Sequence, residues 1–265
     1  MKWQAKWRLR MPPRGGVALI GKDEADAQQI IDRLAPVIPW RKFREDIFQW
    51  VQGEHVAFIG PTGQGKTTTA LQIIDERSFV TVMATKPRDD TMDYLFHHGY
   101  VRFKEWKNSD PEQIPHRVLW PPAHRLYSAQ SQRAVFRHAL DNIYPQGGWC
   151  LYFDELWYFV NHLKLAHEIK TYLLQSRSLD ISVVCSTQRP SSVPLEVYDM
   201  STHLFFWRDN DKRNLDRLSE LNAVNGQTVK AIISRLPAHQ CLYINTRVGE
   251  EVAMCRTTAP RLDEI

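Results

Sequence analysis

The sequence predicts an α/β protein built on a mainly parallel sheet flanked by helices. Three observations carry that reading. Short β-rich runs alternate with helical patterns between residues 51 and 208, the signature of a parallel sheet covered by its crossover helices. A glycine-rich loop, Gly60–Thr67, stands between one such run and a helical stretch, and a second run, Trp149–Phe153, ends in two adjacent acids. At 265 residues, 43% of them apolar, the chain can bury a sizeable core, and its composition excludes collagenous, low-complexity and disordered classes. The expected division is a leader over residues 1–50 and one domain over residues 51–265.

The leader begins with a basic arm. Lys2, Lys6, Arg8, Arg10 and Arg14 occur without an acid in the first fourteen residues, whereas the whole chain has a net charge of only +4. The basicity is therefore local. Trp3 and Trp7 interleave with it, so the arm reads either as a phosphate- and base-contacting segment or as a solvated or partner-docked tail. Glu24–Leu34 follows with Ala27, Ile30, Ile31 and Leu34 at helical spacing, then an aromatic segment, Trp40–Trp50. No apolar stretch of signal-peptide length follows the arm. The apolar runs Trp149–Phe153 and Leu156–Val160 are cut by charge well short of the ~20 residues that a membrane-spanning helix needs. A cytoplasmic protein without a membrane span is expected.

Six strands are expected within the domain: His55–Ile59, Phe79–Ala84, Tyr100–Phe103, Trp149–Phe153, Ile181–Ser186 and His203–Trp207. Lys104–Tyr127 contains Pro111, Pro115, Pro121 and Pro122 and reads as an irregular excursion. Residues 209–265 suggest two helices and a hairpin, Gln240–Ile244 with Glu251–Cys255, turning at Gly249. The four cysteines, Cys150, Cys185, Cys241 and Cys255, have neither zinc-site nor disulfide-framework spacing and are expected to be buried thiols.

The loop Gly60-Pro61-Thr62-Gly63-Gln64-Gly65-Lys66-Thr67 fits the pattern GxxxxGK[ST] throughout, and its flanks, a strand before and an amphipathic helix after, are the context that pattern requires. The glycines let successive N–H groups turn toward a β-phosphate, reinforced by the positive end of the helix. Lys66 is placed for the β- and γ-phosphates, and the Thr67 hydroxyl for Mg²⁺, with Thr68 next to it. A nucleoside triphosphate is the expected ligand. Asp154 at the strand end can hold the Mg²⁺ shell through water, and Glu155 can orient and deprotonate an attacking water. Alone, the pair would read as a helix N-cap and a first-turn acid; the upstream loop favours catalysis. No Asn-Lys-x-Asp guanine reader occurs, so ATP is preferred to GTP. A third strand runs into Ser186-Thr187-Gln188-Arg189-Pro190. Lying beside the Asp154 strand, it would deliver the Gln188 amide to the γ-phosphate.

Together the phosphate loop, the Asp154-Glu155 pair and the run Ser186–Ser191 resemble the FtsK/HerA superfamily of ring-forming ATPases, over roughly residues 53–208 with a looser match in the hairpin. The resemblance implies a RecA-like, ASCE-type ATPase core that hydrolyses ATP with Mg²⁺ to translocate or package double-stranded DNA. It also implies a homo-oligomeric ring, a hexamer or a pentamer, with nucleotide between subunits. Arg177, eleven residues before Gln188, occupies the position from which the family often reaches a neighbour's nucleotide; a surface arginine capping a helix over Glu168–Ser178 is the plainer reading, and Arg189 the competing finger. Two departures stand out. Ala84-Thr85-Lys86 lacks the acid that commonly precedes the family's lysine, which leaves Lys86 without a role, and Asp180 replaces a glycine. The small size is similar to a viral or mobile-element packaging ATPase, working in the host cytoplasm if viral and docking on a portal or a membrane or capsid protein. A protein-translocating secretion ATPase and a nucleotide-dependent DNA-binding assembly factor remain as alternatives.

Overall fold

In the computed structural model the described residues are 24–108, 110–218, 226–247 and 253–264. The basic arm and the Gly249 turn lie outside them. Nine strands form one sheet: β1 (His55–Ile59), β2 (Val80–Met83), β3 (Val101–Phe103), β4 (His116–Leu119), β5 (Cys150–Phe153), β6 (Ser182–Thr187), β7 (Ser201–Trp207), β8 (Cys241–Asn245) and β9 (Ala253–Thr257). Their spatial order is β3-β4-β2-β5-β6-β1-β7-β8-β9. The first seven positions are parallel to one another, and β8 and β9 continue the sheet antiparallel. The α/β reading with a C-terminal hairpin is thus observed, and the hairpin extends the main sheet.

Side chains alternate between the two faces of each strand, so both faces carry core. On one, Ile59, Phe153, Cys185 and Phe206 pack under the helices Ala129–Gln146, Ala166–Gln175 and Gly226–Ile233. On the other, Phe58, Tyr152, Val184 and Trp207 pack under Lys66–Ile74 and Thr91–His97. All four cysteines are buried and unbonded to one another.

The excursion expected over Lys104–Tyr127 is corrected by the structure. It contains β4, inserted between β2 and β3, and a short helix, Ala123–Leu126. Pro115 and Pro121 flank the strand and do not interrupt it, and Arg117, fully buried at its centre, lies over the rings of Phe103, Trp106 and Trp149 at 4.7–5.1 Å while its Nε donates to the Ile114 carbonyl at 2.8 Å. The helix expected over Glu168–Ser178 is α-helical over Ala166–Gln175 and ends in a 3₁₀ turn, Ser176–Leu179.

The leader is stitched to the chain's other end. Its helix, Glu24–Leu34, buries Ala27, Ile31 and Leu34, as its spacing predicts. Beyond it the backbone pairs with β9: the Ile38 N–H donates to the Arg256 carbonyl and the Arg256 N–H to the Pro36 carbonyl, both at 2.8 Å. The Arg256 side chain, 7% exposed, donates from Nε to the Ala35 carbonyl at 2.7 Å and pairs with Asp32. Arg256→Ala deletes a charged donor that satisfies a helix-end carbonyl. The expected loss is about 2 kcal/mol, seen as a fall in Tm of about 4–8 °C by calorimetry.

Candidate active site

Three parallel strands end side by side, and their carboxyl ends build the site. β6 lies between β1 and β5, with Ile59 paired to Thr187 and Phe153 to Cys185. This register places the phosphate loop, Gln188 and the Asp154-Glu155 turn next to one another. The loop is tight because its glycines permit it: Gly63 and Gly65 have φ of 77° and 99°, a left-handed region that other residues avoid. A Cβ on Gly60 would meet the Trp207 Cβ at 2.7 Å, so the buried Trp207 forms the floor of the loop. Sequence reasoning did not mark that residue.

Lys66 starts the loop helix, is 7% exposed and donates to the Pro61 carbonyl at 2.6 Å. Burial pulls its pKa down to about 8, against the charges of Glu155, Asp154 and Asp209. The Thr67 hydroxyl donates to Asp154 Oδ1 at 2.8 Å, the Tyr152 hydroxyl donates to the same oxygen at 2.7 Å, and Lys86 Nζ donates to Oδ2 at 3.1 Å. Withdrawal from water would raise the Asp154 carboxyl; Lys86 and the two hydroxyls more than offset it and hold the group below its usual value. These three donors to Asp154 are side chains and not backbone N–H groups, so the N-cap alternative gains no support.

Glu155 shows the opposite balance. Desolvation raises its carboxyl, aided by Asp154 and opposed by Lys66 and the backbone N–H groups of Gln188 and Trp157, and its Oε1 is buried without a hydrogen-bond partner. Gln188 is exposed and its Oε1 accepts from the Thr62 hydroxyl at 2.6 Å. Arg189 lies over the Trp157 ring at 4.9 Å. Arg177 is elsewhere, exposed in the 3₁₀ turn before β6, where its carbonyl lies 2.9 Å from a Cβ built on Gly53. That is the amino end of the sheet, a full strand length from the phosphate loop, roughly 20 Å at ~3.3 Å per residue.

Lys86, unassigned in the sequence, belongs to the site. The missing acid is supplied by Asp89, whose Oδ2 accepts from Lys86 Nζ at 3.2 Å. The i, i+3 spacing of these two was legible; the link to Asp154 was not. Thr62, Gly63, Gly65, Lys66, Thr67 and Thr68 line one continuous cleft of about 850 Å³ with Lys86, Asp154, Glu155 and Gln188. Gln64 accepts from the His239 backbone N–H at 3.4 Å. Among the described residues no group of three or more His, Cys, Asp or Glu side chains gathers as a metal cluster, and no helix is long and apolar enough to cross a membrane.

No protein-family model matches the chain, and no curated protein matches it in sequence. Solved structures do match in fold. The DNA-packaging ATPase B204 of Sulfolobus Turreted Icosahedral Virus aligns over 77% of this chain and 98% of its own, at 14% identity and a TM-score of 0.57. The genome packaging NTPase B204 of Sulfolobus turreted icosahedral virus 2, in complex with ATP-gammaS, aligns over 76% and 95%, at 13% identity and a TM-score of 0.51. The pCW3 conjugation coupling protein TcpA, with ATPgS, aligns over 80% and 62%, at 12% identity and a TM-score of 0.50. The chain therefore has the RecA-like P-loop ATPase fold, in agreement with the resemblance read from its three motifs.

The depressed Lys66 generates a pH dependence. A polyphosphate against Nζ holds a proton there that the free protein loses as pH rises through about 8. Nucleotide affinity is thus greatest below that pH and falls by up to about tenfold per unit above it. Titration calorimetry at about pH 8.5, in two buffers of different ionisation enthalpy, should reveal proton uptake on binding; buffer-independent heats would contradict it.

Proposed function

We propose that this protein is an ATP-hydrolysing ring motor that translocates or packages double-stranded DNA, of the viral genome-packaging type. The observation that carries the reading is the convergence of Lys66, Thr67, Lys86, Asp154, Glu155 and Gln188 at the ends of four adjacent strands, β2, β5, β6 and β1. The fold likeness supports it, since nearly the whole of a viral packaging ATPase is accounted for by this chain. Residues 51–265 would form the motor domain, with residues 1–50 as its leader.

Roles follow from the chemistry of each group. The loop N–H groups and Lys66 bind the β- and γ-phosphates. The Thr67 hydroxyl and the Asp154 carboxylate are hard oxygen donors already within 2.8 Å of each other, a donor set that suits Mg²⁺. They would hold the ion, Asp154 through water; once bound, it neutralises charge on the β- and γ-phosphates. Lys86 keeps Asp154 ionised. Glu155, with its raised pKa and unpartnered Oε1, accepts a proton from the attacking water. Gln188, released from Thr62, hydrogen-bonds the γ-phosphate. Arg177 serves the nucleotide of a neighbouring copy, because its own phosphate loop is at the far end of β6. The basic arm adds contacts to DNA or to an acidic portal-like, membrane or capsid partner, and the setting is a cytoplasm, the host's for a virus.

An ATPase assay with and without long double-stranded DNA, run with particle sizing, tests this reading. Hydrolysis should rise several-fold with DNA, and Glu155→Gln should keep ATP bound while lowering kcat by on the order of 10²–10⁴-fold. DNA-independent turnover would favour a protein-translocating motor, and normal turnover in Glu155→Gln would reduce Glu155 to a turn acid.

Arg177→Ala should lose hydrolysis by on the order of 10³-fold while still binding ATP. Mixed with Lys66→Ala subunits it should recover activity, since a mixed ring can pair an intact loop with an intact arginine. Mixed rings as inactive as either parent would remove Arg177 from the site and make Arg189 the candidate.

A further inference from the structure

We propose that the nucleobase is gripped between the leader and the tail, stacked on the indole of Trp40 and walled on its other side by Thr258–Pro260. The inference rests on the reading of the cleft as a nucleoside triphosphate site and adds the base subsite to it. The cleft is larger than the phosphate machinery. Its inner part, from Lys66 to Glu155, accounts for a triphosphate, yet the same space continues to Trp40, Thr258, Ala259 and Pro260, an indole and two small apolar side chains set among the charged Arg41, Arg261 and Glu264. A volume of about 850 Å³ falls in the range of roughly 300–1,000 Å³ that encloses a whole ligand of this size.

The direction of the chain through the loop selects this end for the base. With the β-phosphate on the loop and the γ-phosphate toward Glu155 and Gln188, the α-phosphate and sugar must leave past the first turn of the loop helix, at Thr68. Thr68 and Gln72 share one face of that helix, being four residues apart. Gln72 Nε2 donates to the Pro260 carbonyl at 2.8 Å, which fixes the tail beside that face. Trp40 brings the flat surface. Phe43 stacks behind its ring, with centroids 5.4 Å apart and planes at 25°, and Phe43 is itself fully buried against Tyr243 and Phe205. The indole is therefore a backed platform.

The spacing of the two walls is set by one backbone feature. Val37 and Arg256 form a parallel bridge, so leader and tail leave it in the same direction. Trp40 is two residues beyond Ile38, and Thr258 two beyond Arg256, the residues joined by the 2.8 Å hydrogen bond. From this bridge both segments reach the same cleft, which thus has an indole from the leader and a proline-containing segment from the tail in its lining. A planar base enters such a cleft on its π face, with backbone groups at the edge to read it.

Calorimetric titration with Mg-ATP and with Mg-tripolyphosphate separates the base from the phosphates. Trp40→Ala should weaken ATP binding by about tenfold or more and Trp40→Phe by less, with tripolyphosphate binding as in the wild type. Wild-type ATP affinity in Trp40→Ala would overturn the base subsite alone; a wild-type protein that binds neither ligand would overturn the nucleotide reading itself and the subsite with it. Should Trp40→Ala fail to fold, photo-crosslinking of the wild type with 8-azido-ATP decides, because the label should map to Trp40 or residues 258–261, and a label confined to other segments would refute the assignment.

Discussion

A carboxylate drawn half out of water stays ionised only when cations and hydrogen-bond donors surround it, and Asp154 meets that condition with groups from three separate strands. Thr67 follows β1, Tyr152 belongs to β5, and Lys86 follows β2. Tyr152 is two residues from Asp154 on the same strand, but Thr67 and Lys86 cannot reach it unless β1 and β2 end at the same edge as β5, which the parallel arrangement ensures. Tyr152 ties in the fourth strand, because its hydroxyl also lies 3.2 Å from Ser186 Oγ on β6. Satisfying one acid thus aligns the strand ends that carry the phosphate loop and Gln188. The neighbouring acid is left unsatisfied by the same geometry. Donors crowd Asp154, Glu155 keeps a buried oxygen without a partner, and two adjacent carboxyls are driven in opposite directions. A metal-holding acid should be ionised and a proton acceptor should be basic, so the division suits the two roles proposed for them.

Much of the site was readable because its chemistry is local in sequence. The phosphate loop is eight consecutive residues whose glycines are required by φ, and the acid pair and Gln188 each end a strongly apolar run. What escaped reading depends on long-range packing. β4 is four residues long and begins His116-Arg117, a polar start that hides a strand; Arg117 is tolerated there because three aromatic rings and a carbonyl receive its guanidinium. Lys86 lacked its expected acid because Asp89 lies after it and Asp154 is 68 residues away. Trp207 read as the end of a strand and turned out to be the floor of the loop. The leader looked chemically silent, since its pairing with the tail spans over two hundred residues.

β6 has a particular place in this arrangement. Gln188 follows its carboxyl end and Arg177 precedes its amino end, and every residue between Ser182 and Thr187 is buried. A strand held by hydrogen bonds on both sides and packed on both faces moves as a rigid element. At the amino end the Arg177 backbone is fitted against Gly53, whose φ of 84° and lack of a Cβ allow the approach. His55 fixes the same corner: its Nδ1 accepts from the Val183 N–H at 3.0 Å and its Nε2 lies 3.2 Å from the Leu173 carbonyl. Burial and the nearby Arg177 charge pull its pKa down to about 4, against Glu54 and the Leu173 bond. A neutral imidazole with one donor and one acceptor is what those two contacts need. In the proposed ring, Arg177 and Gln188 would therefore stand at opposite ends of one rigid strand.

The edges of the sheet limit how copies could meet. β9 is bridged by the leader at Val37, and the opposite edge is the three-residue β3. Short or covered edges are poor templates for adding a strand from another chain. Both faces of the sheet are covered by helices and the leader. Among the described residues the carboxyl ends of the strands hold the cleft, and the amino ends present Arg177. Two copies related head to tail, with the amino end of one against the cleft of the next, would bring a guanidinium to a triphosphate without strand addition. Such a heterologous contact repeats around a closed circle whenever its rotation closes, and that is the form of assembly the proposed motor requires.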